Sequence, residues 1–240
     1  DSILKNLIFR FKKNHISVNN EGTAVSLATG YHLATGKTPC IYLQNSGLGN
    51  AINPIISINN KNVYSIPFIL IIGWRGSPNS NDEPQHQSKG KITREILKLM
   101  GIKYCILRNK RDLKTFEKLI QYSKEKSTGV ACLIEKSYIR SKSILRQKRK
   151  VNSYKILRYD LLNQLVKHVK VKTNIISSTG FISRELDNIL KRQLYPKIKS
   201  FYMVGGMGHA ASVTLGVSLK SNKDNICIDG DGSLLMQTGS

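Results

Sequence analysis

Two rhythms of apolar residues alternate along the chain. One is helical. Ile3, Leu4, Leu7, Ile8 and Phe11 recur every three or four positions, and the Ala-, Leu- and Val-rich residues 21–35 do the same before Gly36 caps them. The other is a short, unbroken apolar run, as at 39–44, 64–72, 103–107 and 129–135. Such runs fit strands buried on both faces. Residues 15–18 predict one more short strand, ending at Asn19-Asn20. Helices are predicted at 51–58, 92–100 and 111–125, with a polar loop over 74–90. Apolar strands alternating with helices predict a parallel sheet covered on both faces.

The alternation stops at residues 136–153, where KSYIRSKSILRQKRK is basic and lacks an apolar face; it reads as a linker. A second α/β unit follows, with helices predicted at 157–169, 183–194 and 210–219 and strands at 174–177, 200–204 and 225–229. The expected organisation is a first domain over 1–136, a basic linker over 137–156 and a second domain over 157–240. The fold class is α/β, with two doubly wound parallel-sheet domains. The chain starts at Asp1 rather than Met and stops nine residues after Asp231, so both ends read as truncated and the second domain as incomplete.

Composition changes this picture only slightly. With 40% hydrophobic residues the chain can bury a core. The longest apolar stretch, 66–74, is interrupted by Pro67 and Gly73 and is too short for a membrane span. Cys40, Cys105, Cys132 and Cys227 form no CxxC pair and read as reduced thiols, which fits a cytoplasmic protein. The net charge of +23, from 38 basic and 15 acidic residues, raises nucleic acid as a partner. Against that, the basic residues are dispersed and the tyrosines are not interleaved with arginine. A positive field gathering a small anionic substrate is the milder reading.

Candidate chemistry lies at strand ends. Asp229-Gly230-Asp231-Gly232-Ser233 places a carboxylate between glycines, able to reach a divalent metal while the backbone closes on a diphosphate. Alone, such a triplet is an ordinary turn. Gly205-Gly206-Met207-Gly208-His209 and Ser177-Ser178-Thr179-Gly180 follow two other predicted strands. In an open parallel sheet, three such loops line one crevice suited to phosphate. In the first half, Glu21 sits between a strand and a helix, where it reads equally as a helix-capping acid. Gln44 to Asn50 is a polar glycine turn. Asp82-Glu83-Pro84-Gln85-His86 groups two carboxylates and a histidine, a combination open to acid–base work, anion binding or a surface loop.

The phrases NEGTAVSLATGYHLATGK, YLQNSGLGNAINP, YSIPFILIIGWRG and DEPQHQSKGKIT resemble the pyrimidine-binding domain of the phosphonopyruvate decarboxylases, thiamine-diphosphate-dependent 2-oxo acid decarboxylases. ISSTGFISREL, VGGMGHAASVTLGVSL and IDGDGSLLMQTGS resemble their diphosphate-binding domain. The resemblance implies thiamine diphosphate and Mg²⁺ as cofactors and the thiamine-diphosphate-binding fold for both halves. It matches Glu21 to the glutamate that hydrogen-bonds the aminopyrimidine, and Asp231 to the first metal ligand. Met207 matches the apolar wedge that bends the cofactor. Ser178, Thr179, Gly180, Gly206, Gly208, Gly230, Gly232 and Ser233 match positions around it. His86 and Asp82 fall where acid–base groups lie, His86 either donating a proton or facing the phosphonate. Gln44 and Asn45 are further substrate-side candidates. Gly206 stands where Ser is frequent.

The implied activity is decarboxylation of 3-phosphonopyruvate to phosphonoacetaldehyde and CO2, in phosphonate biosynthesis. The alternatives are sulfopyruvate decarboxylation, or an inactive fragment of such an enzyme. Sulfopyruvate decarboxylases usually carry the two domains on separate chains, which favours the phosphonate reading. The implied assembly is a homo-oligomer with the active site at the subunit interface, acting on a small anionic 2-oxo acid.

Overall fold

The first helix is fixed at both ends by its own sequence. Asn20 takes an extended conformation and its Oδ1 accepts from the backbone N–H of Gly22 at 2.7 Å, satisfying a donor that the helix cannot pair internally. Gly36, at φ 66°, ends the helix by donating to the His32 carbonyl. Helix α1 therefore runs Glu21–Thr35, with Val25 and Thr29 turned inward.

The computed structural model describes residues 11, 14–78, 80–135, 155–169, 172–192 and 198–239. Of the helical stretch predicted over 3–13 only residue 11 is described, and nearly all of the basic linker lies outside the described residues. The chain divides into two units, Asp1–Gln147 and Lys148–Ser240.

In the first unit, β1 (Cys40–Gln44), β2 (Phe68–Trp74), β3 (Lys103–Leu107) and β4 (Gly129–Glu135) form one sheet in the order β1-β2-β4-β3. Every pairing is parallel, with Ile41 opposite Leu70 and Leu70 opposite Ala131. Helices α2 (Leu48–Pro54), α3 (Pro84–Leu99) and α4 (Asp112–Lys126) make the connections. Leu70, Ile72, Leu97, Ala131 and Leu133 are fully buried in a core shared by strands and helices. Each large aliphatic side chain there contributes roughly 1.5–3 kcal/mol. Cys105 lies opposite Cys132 in the register. The hydrogen bond with Cys105, together with burial, pushes the Cys132 thiol well up.

The parallel α/β class is as predicted; four local expectations are corrected. Residues 15–18 are not a strand: Ile16 and Val18 are exposed, with no buried face to reward pairing. The run at 64–72 enters the sheet only at Phe68, because Ser65 takes a left-handed φ of 52° and Pro67 has no N–H to donate. The helix expected from residue 51 starts at Leu48, and a π-helical turn occupies Ile55–Asn59. The last seven residues of the predicted 74–90 loop are helix, since α3 starts at Pro84, whose fixed φ suits the first helical turn.

In the second unit, β5 (Thr173–Ser177), β6 (Lys199–Tyr202) and β7 (Asp224–Ile228) form a parallel sheet in the order β6-β5-β7. Helices α5 (Arg158–His168) and α6 (Phe181–Arg192) pack Leu162, Val166, Leu186 and Ile189 against Ile175. Arg158 clamps the Glu185 carboxylate through two hydrogen bonds of 2.7 Å. Helix α7 (Ala210–Ser218) and the short α8 (Asp231–Met236) complete the unit.

Candidate active site

In a parallel sheet all strands deliver their following loops to one edge. In the first unit that edge collects the turn after β1, the loop after β2 and the start of α1. The turn at residues 45–50 is the hub. Asn50 Nδ2 donates to Glu21 Oε2 at 2.8 Å, orienting the carboxylate and leaving Oε1 for another partner. Gly47 lies so close that a Cβ there would overlap the same carboxylate. An alanine at 47 would push the Glu21 carboxylate out of this position.

Ser46, next in the turn, faces α3. Its Oγ lies 3.0 Å from His86 Nδ1, and its carbonyl accepts from Lys89 Nζ at 2.9 Å. Burial lowers the His86 pKa, and the positive charges of Arg75 and Lys89 lower it further, against Asp82 and Glu83. Gly76 and Gly90 allow the β2–α3 loop to fold back on the helix: a Cβ at Gly76 would overlap the His86 carbonyl, and one at Gly90 the Gly76 carbonyl.

Two sequence candidates take on different roles here. Asn45, only 4% exposed, donates to the Arg75 carbonyl and to Thr93 Oγ1 at 2.9 Å and accepts from the Arg75 N–H at 2.9 Å. Its amide is spent bracing β1, β2 and α3. Asp82 pairs in bidentate fashion with Arg75 and accepts from the backbone of Gly76 and Glu83. The hydrogen bonds from Arg75 hold its carboxyl far below the usual range, so the ion pair braces the loop. Gln44 ends β1 and is exposed.

The second unit brings its three candidate loops to one edge of the β6-β5-β7 sheet. Ser178 Oγ accepts from Gly230 N at 3.0 Å, tying the first loop to the third. Ser233 Oγ accepts from Gly208 N at 2.9 Å, tying the third to the second. Thr179 Oγ1 donates to the Val204 carbonyl at 3.1 Å. Gly180, Gly206 and Gly208 take φ values of 117°, 64° and 91°, where side chains are disfavoured. Met207 stands 42% exposed at this edge. Asp231 is exposed, and among the described residues nothing pairs with it. Among the described residues no three His, Cys, Asp or Glu side chains gather to hold a metal.

Asn50, Gly47, Ser46, Lys89 and Arg75 escaped individual notice in the sequence. The polar glycine turn was visible, but Asn50 meets Glu21 across 29 positions and Lys89 meets Ser46 across 43. No local spacing signals such pairs.

Comparison with known proteins agrees with this geometry. Residues 3–99 match the family of the thiamine pyrophosphate enzyme, N-terminal TPP binding domain. A phosphonopyruvate decarboxylase of Streptomyces viridochromogenes is 32% identical over 94% of this chain and 59% of its own length. A sulfopyruvate decarboxylase of Methanosarcina acetivorans is 30% identical over 97% of this chain and 63% of its own. The sulfopyruvate decarboxylase subunit alpha of Methanothermobacter thermautotrophicus is 34% identical over 52% of this chain and 73% of its own. The chain thus spans about 60% of the length of the first two. Matched in both units and carrying its polar loops at the C-terminal edges of two parallel sheets, the chain belongs to the thiamine-pyrophosphate-dependent enzyme family that includes the phosphonopyruvate and sulfopyruvate decarboxylases.

Proposed function

We propose that the protein decarboxylates 3-phosphonopyruvate to phosphonoacetaldehyde and CO2, using thiamine diphosphate and Mg²⁺, as a cytoplasmic enzyme of phosphonate biosynthesis. In this reading residues 1–136 serve the pyrimidine end of the cofactor, 157–240 its diphosphate end, and 137–156 link them. The observation that carries the reading is the seating of Glu21 by Asn50 and Gly47, in a chain similar to a phosphonopyruvate decarboxylase across both units.

The residues fit the cofactor. A glycine gap accommodates the Glu21 carboxylate, and the tied loops of the second unit offer backbone N–H groups, the Ser178 hydroxyl and the exposed Asp231 carboxylate. Asp231 would hold Mg²⁺, and Ser178, Thr179, Gly180, Gly206, Gly208, Gly230, Gly232 and Ser233 would surround the diphosphate, with Met207 against the rings. Bound thiamine diphosphate supplies the electron sink for loss of CO2. Glu21, anchored through Oε2, is left with Oε1 to hold a proton against the aminopyrimidine. His86, anchored through Nδ1, is left with Nε2 to give or take a proton on the substrate side. Gln44 stays a substrate-side candidate.

Sulfopyruvate decarboxylation is the second reading. The subunit alpha relative matches about half of this chain, but the Methanosarcina acetivorans protein matches nearly all of it. Having both halves on one chain therefore does not separate the two activities, which corrects that expectation. Assembly as a homo-oligomer with a shared site is supported by the apolar surface of α1, where Leu27, Tyr31 and Leu33 are exposed. Among the described residues no helix is long and apolar enough to cross a membrane.

The test is CO2 release by the full-length protein, with thiamine diphosphate and Mg²⁺, from 3-phosphonopyruvate and from sulfopyruvate. A higher kcat/KM for the phosphonate supports the proposal, a higher value for the sulfonate favours the second reading, and no release from either sinks both.

A further inference from the structure

We propose that Lys89, with His86 and Ser46, forms the seat for the substrate's non-reacting tetrahedral anion, the phosphonate or sulfonate XO3 group. The inference rests on the decarboxylase reading and adds a recognition residue to it. His86, Lys89 and Thr93 follow one another at helical spacing and share one face of α3. That face meets the turn after β1 at three points: Thr93 at Asn45, Lys89 at the Ser46 carbonyl and His86 at the Ser46 hydroxyl. The innermost contact is fully used inside the protein. The two nearer the start of α3 are only partly used.

Lys89 is half-buried. Its ammonium has three donors, and one goes to the Ser46 carbonyl. Among the described residues no carboxylate pairs with it, whereas the neighbouring Arg75 is neutralised by Asp82. Glu83 lies at the start of α3 as an exposed carboxylate. A half-buried cation without a counter-charge calls for an anion. With Nδ1 at Ser46, the His86 ring turns its Nε2 to other partners. Ser77 Oγ, in the loop after β2, and Gln85 Oε1, in the first turn of α3, are buried without a partner among the described residues. The turn that positions Lys89 and His86 through Ser46 also seats Glu21 through Gly47 and Asn50. The anion seat and the proposed pyrimidine contact therefore share one rigid hub.

The chemistry selects which anion Lys89 holds. The substrate has two negative ends, and the carboxylate loses its charge as CO2 departs. A cation gripping that carboxylate would stabilise the reactant more than the transition state. The same cation on the distal group binds both equally, and its binding energy positions the keto acid without opposing the reaction.

The test uses full-length protein and two unreactive probes. Saturable binding of methylphosphonate is followed by ³¹P NMR, and methanesulfonate is added as competitor to distinguish the phosphonate from the sulfonate class. Lys89→Met should weaken methylphosphonate binding by about tenfold or more, and Lys89→Arg should restore part of it. In turnover, Lys89→Met should raise KM for the phosphonate or sulfonate 2-oxo acid by a similar factor. Equal binding by wild type and Lys89→Met, or none by either, overturns the inference. A protein that binds methylphosphonate through Lys89 yet releases no CO2 keeps this site and loses the decarboxylase reading. One that decarboxylates phosphonopyruvate without any dependence on Lys89 keeps that reading and loses this site.

Discussion

Replacing Asp82 by Asn tests whether the loop that carries His86 is held by charge. The carboxylate accepts from Arg75 Nε at 2.6 Å, from Arg75 Nη2, from Gly76 N at 3.1 Å and from Glu83 N at 3.0 Å. An asparagine keeps one acceptor oxygen and turns an amide donor toward the donors that remain. Two of the four bonds and the ion pair are lost. Hydrogen bonds to a charged group contribute about 1.5–3 kcal/mol each. The Arg75 side chain is 31% exposed and regains water, whereas that of Asp82 is 4% exposed, so the net cost is discounted to about 2 kcal/mol. For a chain of this size, that lowers Tm by roughly 4–8 °C.

The pH dependence carries the sharper signature. Arg75 holds the Asp82 carboxyl below its ordinary range. The stabilisation is then complete above the unfolded value, about pH 4, and is lost as pH falls from there through the folded pKa. By about pH 3, the gap between wild type and Asp82→Asn should have narrowed by about 1 kcal/mol. Urea unfolding of both proteins at neutral pH and near pH 3 measures it. A gap below about 0.5 kcal/mol at neutral pH, or one that does not narrow on acidification, would refute the charge-brace argument.

Three further outcomes follow from the site geometry. Glu21→Gln should cut kcat by roughly 10²–10⁴ and leave thiamine diphosphate affinity nearly unchanged; full turnover would remove Glu21 from the chemistry. Gly47→Ala puts a methyl group where the Glu21 carboxylate lies. It should lower kcat by about tenfold or more with little change in the urea midpoint, and wild-type kcat would show that the gap is not needed. Asp231→Asn should weaken Mg²⁺-dependent cofactor binding by about tenfold or more, and an unchanged dissociation constant in a calorimetric titration would exclude it as a ligand.

Most of the architecture was written locally. The capping residues Asn20 and Gly36, the apolar runs of β2 and β4 and the polar loops after the strands are properties of neighbouring residues. Alternating strands and helices then require parallel pairing and put the loops at one edge. Glu21 and Asp231 stood out because each opens a helix in a recognisable phrase, and the glycine loops because each follows a strand. The exposed run at 15–18 and the helix starting at Pro84 were misread because an apolar or polar pattern does not say whether a partner surface is present.

Tertiary structure decided how those residues divide the work. Asn45 and Asp82 look like site residues in sequence, yet Arg75, Thr93 and the backbone consume their hydrogen-bonding capacity. Asn50, Ser46 and Lys89 look unremarkable, yet the turn after β1 brings them to Glu21 and His86. Whether a polar group is spent or left available depends on partners tens of residues away, and only the packed chain sets those distances.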